Sequence, residues 1–382
     1  MVGWTSAAGS ATKFDLDFVS GELWPGTYLW GYLFTAVAGG LMPLGLLAVE
    51  RARSGGRGRY LVAAAAVGLV VAWLQPWQGA TFALILIGAS LMTDRRDRSA
   101  LLTSCRLLAP VMVATALPLV YYFLLSKLDP SWRLAGEVNS FGRWPLWVTV
   151  VGLAPLAIPA LFAYRARSLD FAGWMLRIWP VAGLLVFYLP VGTFPFHAFQ
   201  GLALPLAILA VIAVRGRLGS KPLPLLWTIV AIGLMVVPGT LYRADQIRGA
   251  VKAGRQAFFL EPGERDAMRW LERQPGAGGI LATLVDGAYV SAYTGREVWA
   301  GAGSWTPDLA WRGLALTAFF DGAGSAAEDQ ALVERAGARF VYASCRVTAD
   351  LEAKLAPITL GPARRFGCAR VWEIRPPAGG WR

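Results

Sequence analysis

Eight apolar runs, separated by short loops in which arginine is the dominant charge, fill residues 28–241, and that pattern excludes an ordinary soluble fold. They cover residues 28–49, 60–74, 80–93, 107–126, 144–164, 178–193, 198–214 and 223–241. At about 1.5 Å per helical residue, the first is long enough to cross a hydrocarbon core of about 30 Å. Composition agrees: 56% of the chain is hydrophobic and only 16% is charged, where soluble domains carry about a quarter charged residues. Runs 60–74 and 80–93 are short and are joined by Gln75-Pro76-Trp77-Gln78-Gly79. They read either as thin spans or as a re-entrant pair, giving eight crossings or six plus that pair. Pro43, Pro110, Pro118, Pro155, Pro159, Pro190, Pro205 and Pro238 fall within the runs; lipid tolerates such kinks where neighbouring helices satisfy the freed carbonyls.

The net charge of +12 invites comparison with nucleic-acid binders. The basic residues, however, lie in the short loops, with no interleaved basic and aromatic groove, so they read as topology signals and no nucleic-acid partner is expected. One set of alternate loops holds Arg51, Arg53, Arg57, Arg59, Arg95, Arg96, Arg98, Arg106, Arg165, Arg167, Arg177, Arg215, Arg217 and Lys221. The other holds Lys13, Lys127, Arg133 and Arg143. The positive-inside rule makes the first set cytoplasmic. The N-terminal segment, the Gln75 turn, the 127–143 loop, the turn around His197 and the tail after the last run therefore share the outer face.

From Arg243 the pattern becomes that of a small α/β domain. Glu261-Pro262-Gly263 opens a helix that stops at Gln274-Pro275-Gly276, and residues 280–285 read as a buried strand. Asp286 reads as the N-cap of a short helix to Tyr293, residues 297–300 as a second strand, and Thr306 as the cap of a helix to Phe320. Ser325 caps a helix ending at Gly337, residues 339–344 form a third strand, and residues 364–374 make a hairpin turned at Gly367. The expected fold is a polytopic α-helical membrane protein of about eight membrane segments, followed by a small extracytoplasmic α/β domain. Its expected parts are an outer N-terminal tail (1–27), a membrane domain (28–242) and the soluble domain (243–382).

Three cysteines and one histidine are too few for a structural zinc site. Cys345 and Cys368 lie in the tail and can pair if it faces an oxidising compartment; buried free thiols are the alternative. Asp15 and Asp17, two residues apart, can point the same way in an extended loop and share a divalent metal or leave one as a general base; a solvated terminus gives the same pattern. No other cofactor is indicated.

Lys127, Arg133 and Arg143, with Trp132, Trp144 and Trp147, suit a lipid phosphate, since guanidinium matches phosphate oxygens bidentately. An aromatic belt with snorkelling cations has the same composition. Gln75, Trp77 and Gln78 either line a substrate pocket or cap their hairpin. His197, near Gln200, either bonds a phosphate or simply bonds backbone. No phosphate-binding glycine motif, nucleophile elbow or metalloprotease helix is present.

The order of short stretches in the tail adds a resemblance. Glu264-Arg265-Asp266-Ala267-Met268-Arg269-Trp270-Leu271, Ile280-Leu281-Ala282, Ala292-Tyr293-Thr294-Gly295-Arg296-Glu297-Val298-Trp299-Ala300-Gly301, Trp305-Thr306-Pro307-Asp308 and Arg339-Phe340-Val341-Tyr342 follow one another. Together they resemble the extracytoplasmic C-terminal domain of bacterial GT-C-type, protein mannosyltransferase-like membrane glycosyltransferases. Leu74-Gln75-Pro76-Trp77-Gln78 and residues 194–209 look like the later membrane helices of that class. The resemblance implies a multi-pass protein of the bacterial inner membrane that takes a sugar from a polyprenyl-phosphate donor on the outer leaflet. An acidic residue in the first outer loop, after the first membrane helix, would act as base on the acceptor. Here the first span begins at Tyr28, after Asp15 and Asp17, so the expectation is a chain that begins mid-protein with its catalytic acid upstream. The alternatives are a non-catalytic lipid-binding or assembly protein, and a transporter, against which the scarcity of intramembrane charge argues.

Overall fold

The computed structural model describes residues 33–55, 57–139, 143–165, 170–189, 193–219, 259–301 and 303–376, with isolated helical positions between 226 and 252. Asp15 and Asp17 lie outside the described residues, as does most of the apolar run 223–241. The chain divides into two compact units: residues 1–129 with 140–246, and residues 130–139 with 247–382.

The first unit is helical. Its elements are α1 (Leu33–Arg53), α2 (Arg57–Leu74), α3 (Pro76–Asp94), α4 (Arg98–Leu128), α6 (Leu146–Leu161), α7 (Phe171–Tyr188) and α8 (Ala203–Leu218), with 3-10 turns at Phe162–Arg165 and Pro195–Phe199. Among the described residues five helical stretches are long and apolar enough to cross a membrane: Leu33–Arg53, Arg98–Leu128, Leu146–Arg165, Phe171–Tyr188 and Pro195–Leu218. This is a multi-pass helical pattern. The expected eight segments are not all shown, because α2 and α3 fall outside that set and most of the last run lies outside the described residues.

The α2–α3 hairpin is longer than its apolar runs suggest, at 18 and 19 residues. Helix α2 begins in the basic loop, and α3 starts at Pro76, where the missing N–H costs nothing. Gln75 alone separates them, with its backbone at φ −149° and ψ 89°. The two helices close tightly because residue 79 is glycine: a Cβ there would lie 2.6 Å from Ala72 Cα. Arg177, read from sequence as a loop cation, is a buried residue of α7. Its guanidinium donates to the carbonyls of Ala163 and Gly173, holding the end of α6 against α7. The positive-inside count loses one residue and keeps its sign.

The second unit contains a helix absent from the sequence reading, α5 (Pro130–Val138), inside what reads as a polar loop. Its Trp132 ring packs edge-on to Trp305, with centroids 6.1 Å apart. The remainder is α9 (Pro262–Glu272), β1 (Gly279–Leu281), α10 (Leu284–Thr294), α11 (Leu309–Phe320), α12 (Ala326–Ala336), β2 (Ala338–Ala343), α13 (Glu352–Leu355), β3 (Arg364–Phe366) and β4 (Ala369–Glu373). The sheet order is β1-β2-β4-β3, with β1 and β2 parallel and the other pairs antiparallel.

Alternation along β2 builds two cores. Phe340 and Tyr342 pack with Met268, Leu271 and Val290 of α9 and α10, while Val341 and Ala343 join Leu316, Phe319 and Val333 of α11 and α12. The Ser325 cap, the stop at Gly337 and the Gly367 turn form as the sequence indicates. Four local expectations change, the first being the strand read at residues 280–285, which ends at Leu281. The N-cap of α10 is Thr283, whose hydroxyl accepts from the Asp286 N–H, and Asp286 sits in the first turn. Thr306 accepts from the Gly301 N–H, and α11 starts after Asp308. Residues 297–300 make a single bridge, Val298 to Ile280. Cys345 and Cys368 are joined by a disulfide, tying the end of β2 to the β3–β4 turn.

Candidate functional site

Three glutamines buried among apolar helices are the least expected feature of the first unit, since an unpaired amide in such surroundings costs several kcal/mol. Gln75, Gln78 and Gln200 are 3%, 1% and 2% exposed. The α2–α3 break delivers Gln75, the first turn of α3 delivers Gln78, and the turn between α7 and α8 delivers His197 and Gln200. Gln75 Nε2 donates to Thr35 Oγ1 of α1 at 2.8 Å and to Gln200 Oε1 at 3.1 Å. Gln78 Nε2 donates to the carbonyls of His197 at 2.9 Å and Gln200 at 2.7 Å.

These bonds fix the rest of the cluster. With its oxygen accepting from Gln75, Gln200 presents its Nε2 to His197 Nδ1 at 2.5 Å. The donor and acceptor roles of this pair follow the tautomer of the imidazole. Aromatic rings enclose it: Trp77, Phe194 and Phe196 have centroids 5.4, 5.3 and 5.2 Å away. Phe194 takes φ 48°, a left-handed conformation costly for a bulky residue. Gln78 Oε1 is buried and accepts no hydrogen bond among the described residues.

Arg143 stands at the rim of the same turn, its Nη2 donating to Leu189 O at 2.6 Å just past α7. Trp144 beside it stacks on Phe196 and Phe199. The structure thus gathers Gln75, Trp77, Gln78, His197 and Gln200 into one cluster. The other two loop cations belong to other elements. Lys127 ends α4 with its ammonium over the ring of Phe123, and Arg133 is an exposed residue of α5 in the second unit. Thr35 escaped the sequence reading; its signal is a hydroxyl within an otherwise apolar stretch of α1. The cluster can bind and orient a polar group and present an imidazole. Among the described residues no group of three or more His, Cys, Asp or Glu could hold a metal.

No protein-family model matches the sequence. The comparison with curated proteins gives no match either. Among solved structures the chain is similar to the archaeal oligosaccharyltransferase AglB from Archaeoglobus fulgidus, in complex with an inhibitory peptide and a dolichol-phosphate. The identity is 13%, the TM-score is 0.44, and the match covers 86% of this chain and 53% of that one. This chain therefore spans about half the length of that structure.

Proposed function

We propose that this chain is a GT-C-type membrane glycosyltransferase, or part of one, that handles a polyprenyl-phosphate sugar at the outer face of the membrane. The observation that carries the reading is the buried Gln75–Gln78–Gln200–His197 cluster at the turns joining apolar helices. Intramembrane polar groups are costly enough that function is their default explanation. Two further observations support the orientation. The basic-loop count puts these turns outside, and the Cys345–Cys368 disulfide suits an oxidising compartment for the second unit. In this reading Arg143 and His197 stabilise charge developing on the leaving phosphate. Lys127 attracts the donor, and the base is an acidic residue for which Asp15 and Asp17 are the candidates within this chain, with or without a divalent metal. The partners are the lipid-linked sugar donor and membrane lipid.

The test is transfer of labelled sugar from a polyprenyl-phosphate donor by the full chain in proteoliposomes. His197→Ala and Arg143→Ala are expected to lower transfer by about tenfold or more. Unchanged transfer in both Arg143→Ala and His197→Ala overturns the phosphate-site assignment. A second reading, non-catalytic binding of the lipid phosphate, is favoured by one feature: the described cluster contains amides and an imidazole but no carboxylate. Donor binding without transfer in the same assay selects it.

A further inference from the structure

A second polar centre lies at the opposite end of the first unit, where the basic loops join α1 to α2 and α3 to α4. Arg53 closes α1, Asp94 closes α3 and Ser104 lies near the start of α4. Arg53 Nη2 donates to both oxygens of Asp94, at 3.2 and 3.1 Å, and the Ser104 hydroxyl donates to Asp94 Oδ2. The guanidinium also lies over the Phe171 ring, 4.2 Å from its centroid. Asp94 and Ser104 are 8% and 4% exposed, so this charged knot is a built feature holding three helix ends in place.

Beside it opens a cavity of about 560 Å³. Its charged wall is Arg53, Asp94 and Arg106, two cations against one carboxylate, and its apolar wall is Leu61, Leu107 and Pro110. Asp94 is matched by Arg53, and Asp97 nearby spends its carboxylate on the N–H groups of Ser99 and Ala100. Arg106 is exposed and makes no ion pair or hydrogen bond among the described residues. The cavity is thus cationic toward the loops and apolar along the helices, which is the polarity of a phospholipid standing in its leaflet.

We propose that this cavity is a structural binding site for an anionic phospholipid. Its phosphate sits on Arg106, which can engage two oxygens at once, and its acyl chains lie along Leu61, Leu107 and Pro110. The Arg53–Asp94–Ser104 knot is the rigid wall against which the headgroup rests. The site lies at the other end of the helices from the glutamine cluster and does not depend on its function.

The experiment compares the full chain in nanodiscs of phosphatidylcholine alone with nanodiscs of phosphatidylcholine and phosphatidylglycerol. Lipids that stay bound after extraction are identified by native mass spectrometry. Phosphatidylglycerol is expected to be retained preferentially, and Arg106→Gln is expected to lower that preference about fivefold. Arg96→Gln, the same charge change in the adjoining loop, is expected to leave it unchanged. Equal retention of the two lipids overturns the proposal, as does an equal loss in both variants, which is general surface attraction. If inorganic phosphate competes the lipid away, the ligand is a soluble phosphate and the lipid assignment fails.

Discussion

Gln200 is the residue through which the glutamine cluster holds together, because its two amide atoms serve different partners. Its oxygen accepts a hydrogen bond from Gln75 and its nitrogen is paired with His197 Nδ1. Gln200→Met keeps the volume and removes both bonds, leaving Gln75 with only its bond to Thr35 and depriving the His197 ring nitrogen of this partner. The expected loss is about 1–2 kcal/mol, in line with interhelical hydrogen bonds in membranes, and thermal denaturation of the purified chain measures it. A melting temperature equal to that of the unsubstituted chain would show that the bonds do not hold the turn. From the sequence, Gln75, Gln78, His197 and Gln200 were recognisable as polar residues at apolar turns. That the Gln200 side chain bridges Gln75 and His197, more than a hundred residues from Gln75, follows from packing and from no local signal.

At the scale of elements, the tight α2–α3 hairpin rests on Gly79. Gly79→Ala puts a methyl group 2.5 Å from Ala72 Cβ and 2.6 Å from its Cα, and backbone cannot swing aside as a side-chain tip can. A loss of about 1–3 kcal/mol is expected, read as a lower melting temperature, whereas the open position Gly216→Ala, with nothing within 4 Å, should be neutral or slightly stabilising. The start of α12 gives a pH-dependent counterpart. Glu328 accepts from the Ser325 N–H and hydroxyl, and those bonds hold its carboxyl below the ordinary value of 4.5. A lowered carboxyl pKa stabilises the fold fully above the ordinary value, and that contribution disappears as pH falls through the folded-state value. Glu328→Gln should therefore cost stability at neutral pH and progressively less below about pH 4.5; a cost independent of pH contradicts the cap's ionic character. Helix caps of this kind are local, so Ser325 and Gly337 were readable from sequence. Thr283 was missed because Asp286, three residues later, is an equally good capping residue, and the choice between them depends on where β1 ends.

At the scale of the whole molecule, the two units rest on different forces. The disulfide closes a sequence separation of 23 residues in the second unit, worth about 3 kcal/mol in the chain-entropy account. Cys345→Ser with Cys368→Ser is expected to lower that unit's unfolding temperature by several degrees, and a reductant should reproduce the shift in the unsubstituted chain but not in the variant. Orientation is checked separately. With Cys105→Ser as background, Arg96→Cys should react with a membrane-impermeant maleimide only after the membrane is opened; reaction in intact cells would place the basic loops outside.

The sequence by itself determined that the chain is a multi-pass helical protein with an α/β tail, because apolar run length and period-two alternation report directly on the solvent each segment meets. It also determined which helix ends and turns carry polar groups. Only the tertiary structure decided that Gln75, Gln78, His197 and Gln200 meet, that Arg177 is a buried clamp and not a loop cation, and that residues 130–138 form a helix of the second unit. Each of these depends on partners distant in sequence, and burial of a polar group is tolerable only once those partners are in place.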